Sequence, residues 1–83
     1  MISTQIAAMP TTAAALVLRL QCQDELKKRD LTADEVAARL GKSVLTIRPR
    51  ISELSRAGVI CDSGNRRPNA SGHNAIVWKI SPL

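Results

Sequence analysis

Apolar positions along the chain fall into three runs of helical spacing, followed by two short β-branched runs. Residues 13–29 are mostly Ala, Leu, Gln, Glu and Lys, which form helices readily, and Thr11 or Thr12 stands where an N-cap hydroxyl is needed. Lys27, Lys28 and Arg29 would fill its last turn, where cations suit the negative end of the helix dipole. At about 100° per residue, Ala15, Leu18, Cys22 and Leu26 form one apolar stripe. Ala13, Leu16, Val17 and Leu20 form a second, on nearly the opposite side. One stripe can face a core; the other needs a loop, the N-terminal arm or another copy of the chain to cover it.

Leu31 and Thr32 suggest a very short extended link. Thr32 and Glu35 then have the spacing of a capping box, and the helix they open runs to Leu40 and stops at Gly41. Val36 and Leu40 give it an apolar stripe, and the small Ala37 allows close approach by a neighbour. Ile47, Ile51 and Leu54 are spaced i, i+4, i+7 and predict a third buried stripe, with Arg48, Pro49, Ser52 and Arg56 on the outward side. Because proline is tolerated only near a helix start, Pro49 places this helix over 47–57, with Thr46 as N-cap and Val44 and Leu45 in the turn before it. Residues 59–61 and 75–80 then read as strands. The stretch 62–74, with three turn-forming Asn, Gly64, Gly72 and Pro68, reads as a long polar hairpin tip.

Composition narrows the classes. At 83 residues the chain makes one domain, divided here into an arm over 1–11 and a folded body over 12–83. An apolar share of 45% is too high for a disordered chain. Cys22 and Cys61 are too few and too far apart for a disulfide framework. The apolar run 13–18 ends at Arg19, far short of the roughly 20 residues a bilayer requires. The start lacks a basic segment of the kind that opens a secretory leader, so a cytoplasmic location is expected. One His and two separated Cys assemble no nucleophile–base pair or metal-ligand spacing, so no enzyme activity, metal or cofactor is expected.

Charge adds a partner class. Lys and Arg number 12 against 7 Asp and Glu, a net +5. Residues 1–31 carry a net +1, 32–41 a net −1, and 42–83 a net +5, so the excess lies in the second half. A polyanion-binding surface concentrates charge in this way, although a basic surface can also serve solubility alone.

The order helix, helix, tight turn, helix, hairpin predicts a mainly helical α+β fold. From Ala37, Leu40-Gly41, Ile47, Ile51, Leu54 and 57–60, the segment 31–60 resembles the helix-turn-helix core of winged-helix proteins. The hairpin with 64–67 and 75–79 resembles their wing. Residues 47–54, 62–67 and 75–78 resemble, more closely, small winged-helix proteins common in bacteriophages and bacterial genomes. The likeness covers residues 12 to 80. It implies three helices and a two-stranded β-hairpin wing, and most members bind DNA, with some binding RNA or protein instead. The ending 77–80 also resembles winged helices that bind left-handed nucleic acid. That family uses Asn and Tyr on its third helix, where this chain has Arg48 and Ser52.

On this resemblance the partner is double-stranded DNA and the role that of a small transcriptional regulator. Arg48, Ser52 and Arg56, beside Pro49, would face the major groove. Ser43 and Thr46 would offer helix N-terminal amides to phosphate, or simply cap. Arg50 would reach phosphate or pair with Glu53 or an acid of the second helix. Arg66 and Arg67, with Asn69 and His73, would place the hairpin tip on the backbone or in the minor groove. Trp78 reads as a core plug. The second stripe, Ala13, Leu16, Val17 and Leu20, suggests a homodimer through the first helix. The competing reading is a protein-interaction module docking an acidic partner, as for a phage protein acting on host machinery.

Overall fold

The structure, a computed structural model, describes residues 12–82. The arm expected over 1–11, the alternative cap Thr11, and Leu83 lie outside the described residues. Three helices precede a two-stranded antiparallel hairpin, a mainly helical α+β fold with the order of a helix-turn-helix and a hairpin wing. Helix α1 spans Ala13–Lys28, with the Ala15 amide donating to Thr12 Oγ1 at 3.2 Å. Helix α2 spans Ala33–Leu40 and carries the expected capping box: Glu35 N–H donates to Thr32 Oγ1 at 3.1 Å, and Thr32 N–H donates to Glu35 Oε1 at 2.8 Å. Gly41 ends α2 at φ 66°, the left-handed region that disfavours any side chain.

Helix α3 spans Val44–Arg56 and begins three residues earlier than expected. Ser43, not Thr46, is its N-cap, accepting from the Leu45 amide at 3.2 Å. Pro49 consequently sits inside the helix rather than in its first turn. The missing Pro49 N–H forgoes one bond, to the Leu45 carbonyl. That turn lies at the surface, where Leu45 is 81% exposed, so water can satisfy the carbonyl and the cost is moderated.

Strands β1, Ile60–Pro68, and β2, Asn74–Ile80, pair from Ile60 opposite Ile80 to Pro68 opposite Asn74. The expected tip over 62–74 shrinks to 69–73. Arg66 and Arg67 lie inside β1, opposite Ile76 and Ala75, and not on the tip. A bulge makes this possible: Asp62 to Arg66 advances four residues against the two from Trp78 to Ile76. Gly64 takes φ 89° there, while Asp62 Oδ1 and Ser63 Oγ accept from the Gly64 and Asn65 amides. The surplus residues are absorbed locally and the ladder resumes.

Leu31 forms an isolated antiparallel bridge to β2. It exchanges both backbone hydrogen bonds with Trp78, at 3.1 and 2.8 Å, and ties the hairpin to the helices. The core joins Cys22 and Leu26 of α1, Leu31, Val36 and Ala37 of α2, Ile47, Ile51 and Leu54 of α3, and Ile60 of β1. Burial pushes the Cys22 thiol up to about 11, which keeps it a neutral apolar group. No helix among the described residues is long and apolar enough to cross a membrane.

Candidate nucleic-acid interface

The core stripe of α3 turns Arg48, Ser52 and Arg56 to the opposite, exposed side, with Pro49 and Leu45 beside them. Between this face and β2 runs a cleft of about 220 Å³, lined by Arg48, Ser52 and Ile51 on one side and Ala75, Ile76 and Trp78 on the other, with Ala33 and Asp34 at its end. A second concavity of about 380 Å³ continues past Ser52, Ser55 and Arg56 to the other side of Trp78. Trp78 is therefore half-buried: it packs on the core and also forms the shared wall of both concavities.

The expected site residues on α3 divide into two groups. Arg48, Ser52 and Arg56 share one face with the cleft and the hairpin. Thr46 and Arg50 lie on the flank of α3 towards α1. Thr46 lines a concavity with Val17, Gln21 and Lys42. Arg50 forms a fork onto Glu53, at 2.7 and 2.8 Å, and Arg19 of α1 reaches the same carboxylate at 2.9 Å. Of the alternatives for Arg50, the pair with Glu53 is the one the fold makes. At the hairpin tip, Asn69 Oδ1 accepts from the Ser71 and His73 amides and from Ser71 Oγ, so Asn69 builds the turn. His73 Nδ1 lies 3.0 Å from Ser71 Oγ.

Most of the arginines are engaged within the chain. Arg48 Nη2 donates to Asp34 Oδ1 at 3.2 Å. Arg66 grips Asp62 with two bonds of 2.9 Å, and this, with the Gly64 amide, holds the Asp62 carboxyl below its ordinary range. Arg67 crosses from β1 to α2, donating to Glu35 at 3.0 and 2.6 Å and to the Asp30 carbonyl at 2.9 Å. Those bonds, against partial burial and with help from the Thr32 amide, hold Glu35 below its ordinary range and raise Arg67 above its own. Arg29, Lys42, Arg56 and Lys79 make no ion pair among the described residues. The pairing of Asp34 and Glu35 with basic residues of two other elements was missed from the sequence; its signal was the acidic segment 32–41, net −1, directly before the basic half of the chain.

The first helix keeps its second stripe uncovered by any described residue: Leu16, Val17 and Leu20 are 49%, 52% and 62% exposed. Among the described residues no group of His, Cys, Asp and Glu could hold a metal ion. Comparison with known protein families, curated proteins and solved structures finds no match to this chain.

Proposed function

We propose that this protein binds duplex DNA and performs no catalysis, acting as a small regulator. The observation that carries the reading is the convergence of Arg48, Ser52 and Arg56 on one exposed face of α3, beside a basic hairpin, in the part of the chain that holds the whole charge excess. A helix face of about this width fits the major groove, where Arg forks onto guanine and Ser serves several bases. The wing, with Arg66 and Arg67, runs along the adjacent backbone. Titration of random-sequence duplex DNA at low salt is expected to give micromolar or tighter binding that weakens steeply as salt rises, each phosphate contact adding about 0.9 to the slope. Absence of binding at low salt overturns the reading in favour of a protein-docking module.

We further propose that the protein binds as a homodimer through α1. A two-fold axis crossing α1 midway between Leu16 and Leu20 sets each Leu16 against the other copy's Leu20. It also brings the exposed Asp24 to the N-terminus of the other α1, whose first turn holds no acid, where an anion is favourable. Two linked half-sites then bind at high effective concentration. Sedimentation at tens of micromolar is expected to give a dimer, and Leu16→Glu/Leu20→Glu a monomer with an intact far-UV spectrum. A monomeric wild type excludes the dimer.

A further inference from the structure

Arg67 and Arg66 each make three hydrogen bonds within the chain, but Arg67 alone of the two ties the hairpin to the helices. Its Nε and Nη2 spend three hydrogen bonds on Glu35 and on the Asp30 carbonyl, which leaves only Nη1 for an outside acceptor. Glu35 is equally committed, because Oε1 also closes the capping box with the Thr32 amide. The pair nevertheless stands at the surface, with the Arg67 and Glu35 side chains 45% and 37% exposed. It sits beside the candidate interface: Ala75, the cross-strand partner of Arg67, lines the same cleft as Arg48 and Asp34. A carboxylate forked onto a guanidinium occupies the donors that would otherwise fork onto a phosphate.

We propose that Glu35 is a positioning residue that masks Arg67: it holds the guanidinium in competition with DNA phosphate, so the wing contributes less to non-specific binding than its charge allows. This rests on the duplex-DNA reading. The capping box constrains Glu35 to one place, so the mask is rigid at the acid and any release moves the arginine. Nη1 can offer phosphate at most a single-sided contact, and a forked grip by Arg67 requires the Glu35 pair to open, which the protein does only where other contacts compensate. The arrangement therefore disfavours random sequence relative to a site at which α3 is fully engaged.

The test is a double-mutant cycle on random-sequence duplex binding, with wild type, Glu35→Gln, Arg67→Ala and the double variant, each across a salt series. Glutamine keeps the capping-box hydrogen bonds and removes the charge, and thermal melting checks that the fold is retained. Glu35→Gln is expected to bind about two- to fivefold more tightly, the scale of one exposed ion pair, with a salt slope steeper by about 0.9, one added phosphate contact. Arg67→Ala is expected to stay within about twofold of wild type, and the gain from Glu35→Gln is expected to vanish in its presence. A gain that persists without Arg67, or no gain and an unchanged slope, overturns the masking while leaving the DNA reading intact. Absence of binding by all four proteins overturns both.

Discussion

Glu53→Ala is expected to lower the unfolding free energy by about 3–5 kcal/mol, the scale of breaking a buried ion pair from one side. The Glu53 side chain is 6% exposed and is shared by Arg50, its neighbour one turn back, and Arg19 of α1, themselves only 15% and 13% exposed. Removing the carboxylate takes from two largely desolvated cations the acceptor they share at the α1–α3 contact. Urea unfolding followed by the single tryptophan, Trp78, measures the loss. A change below about 1 kcal/mol would show that water already serves these arginines.

The same carboxylate sets an acid response. Burial alone pushes Glu53 up, but its hydrogen bonds to Arg50 and Arg19 and their charges outweigh burial and hold it below the ordinary value of 4.5. Glu35 is lowered by Arg67, Glu25 by Arg39 and Lys28, and Asp62 by Arg66. A carboxyl lowered in the folded state leaves the unfolded chain binding more protons in acid, so its contribution is complete above the ordinary value and is lost as pH falls through the folded one. Stability is expected to hold above about pH 5 and decline below 4.5, less steeply in Glu53→Ala than in wild type. A pH-independent stability between 5 and 3 would contradict the ion-pair assignment.

The second large effect concerns binding. Arg48→Ala combined with Arg56→Ala is expected to weaken duplex DNA binding by about 2–6 kcal/mol, from about 1–3 for each base-reading or phosphate-gripping arginine. The two differ in kind. Arg48 borders the cleft and is held by a single 3.2 Å bond to Asp34, which a guanine edge or phosphate readily displaces. Arg56, the last residue of α3, makes no ion pair among the described residues. Arg48→Ala alone is therefore expected to relax sequence preference, measured by selecting bound sequences from a random pool. If the double variant binds as wild type does, α3 is not the reading surface.

Local pattern determined much of this protein. The Thr32 to Glu35 spacing, the stop at Gly41 and the i, i+4, i+7 run from Ile47 to Leu54 each depend on neighbours within a turn or two, so they are legible in the chain and recur in the fold. The two stripes of α1 also followed from period alone: Ala15, Cys22 and Leu26 are buried, while Leu16, Val17 and Leu20 are open. Pro49 misled because its preference for a first turn is a local average, and the capping strength of Ser43 with a solvated Leu45 carbonyl outweighed it. The strand positions of Arg66 and Arg67 depended on a bulge, which a turn-rich composition resembles but does not specify. The pairings that set the electrostatics of the candidate interface joined residues far apart in the chain, Arg67 with Glu35 across 32 positions and Arg48 with Asp34 across 14, as did the Arg19–Glu53 pair of the α1–α3 contact across 34. Helical period places such residues on a face, but only the packing of α1, α2, α3 and the hairpin around one core decides which faces meet. Tertiary structure alone therefore determined that Arg19, Arg39, Arg48 and Arg67 are held by acids of other elements, whereas Lys27, Lys28, Arg50 and Arg66 find theirs within four residues.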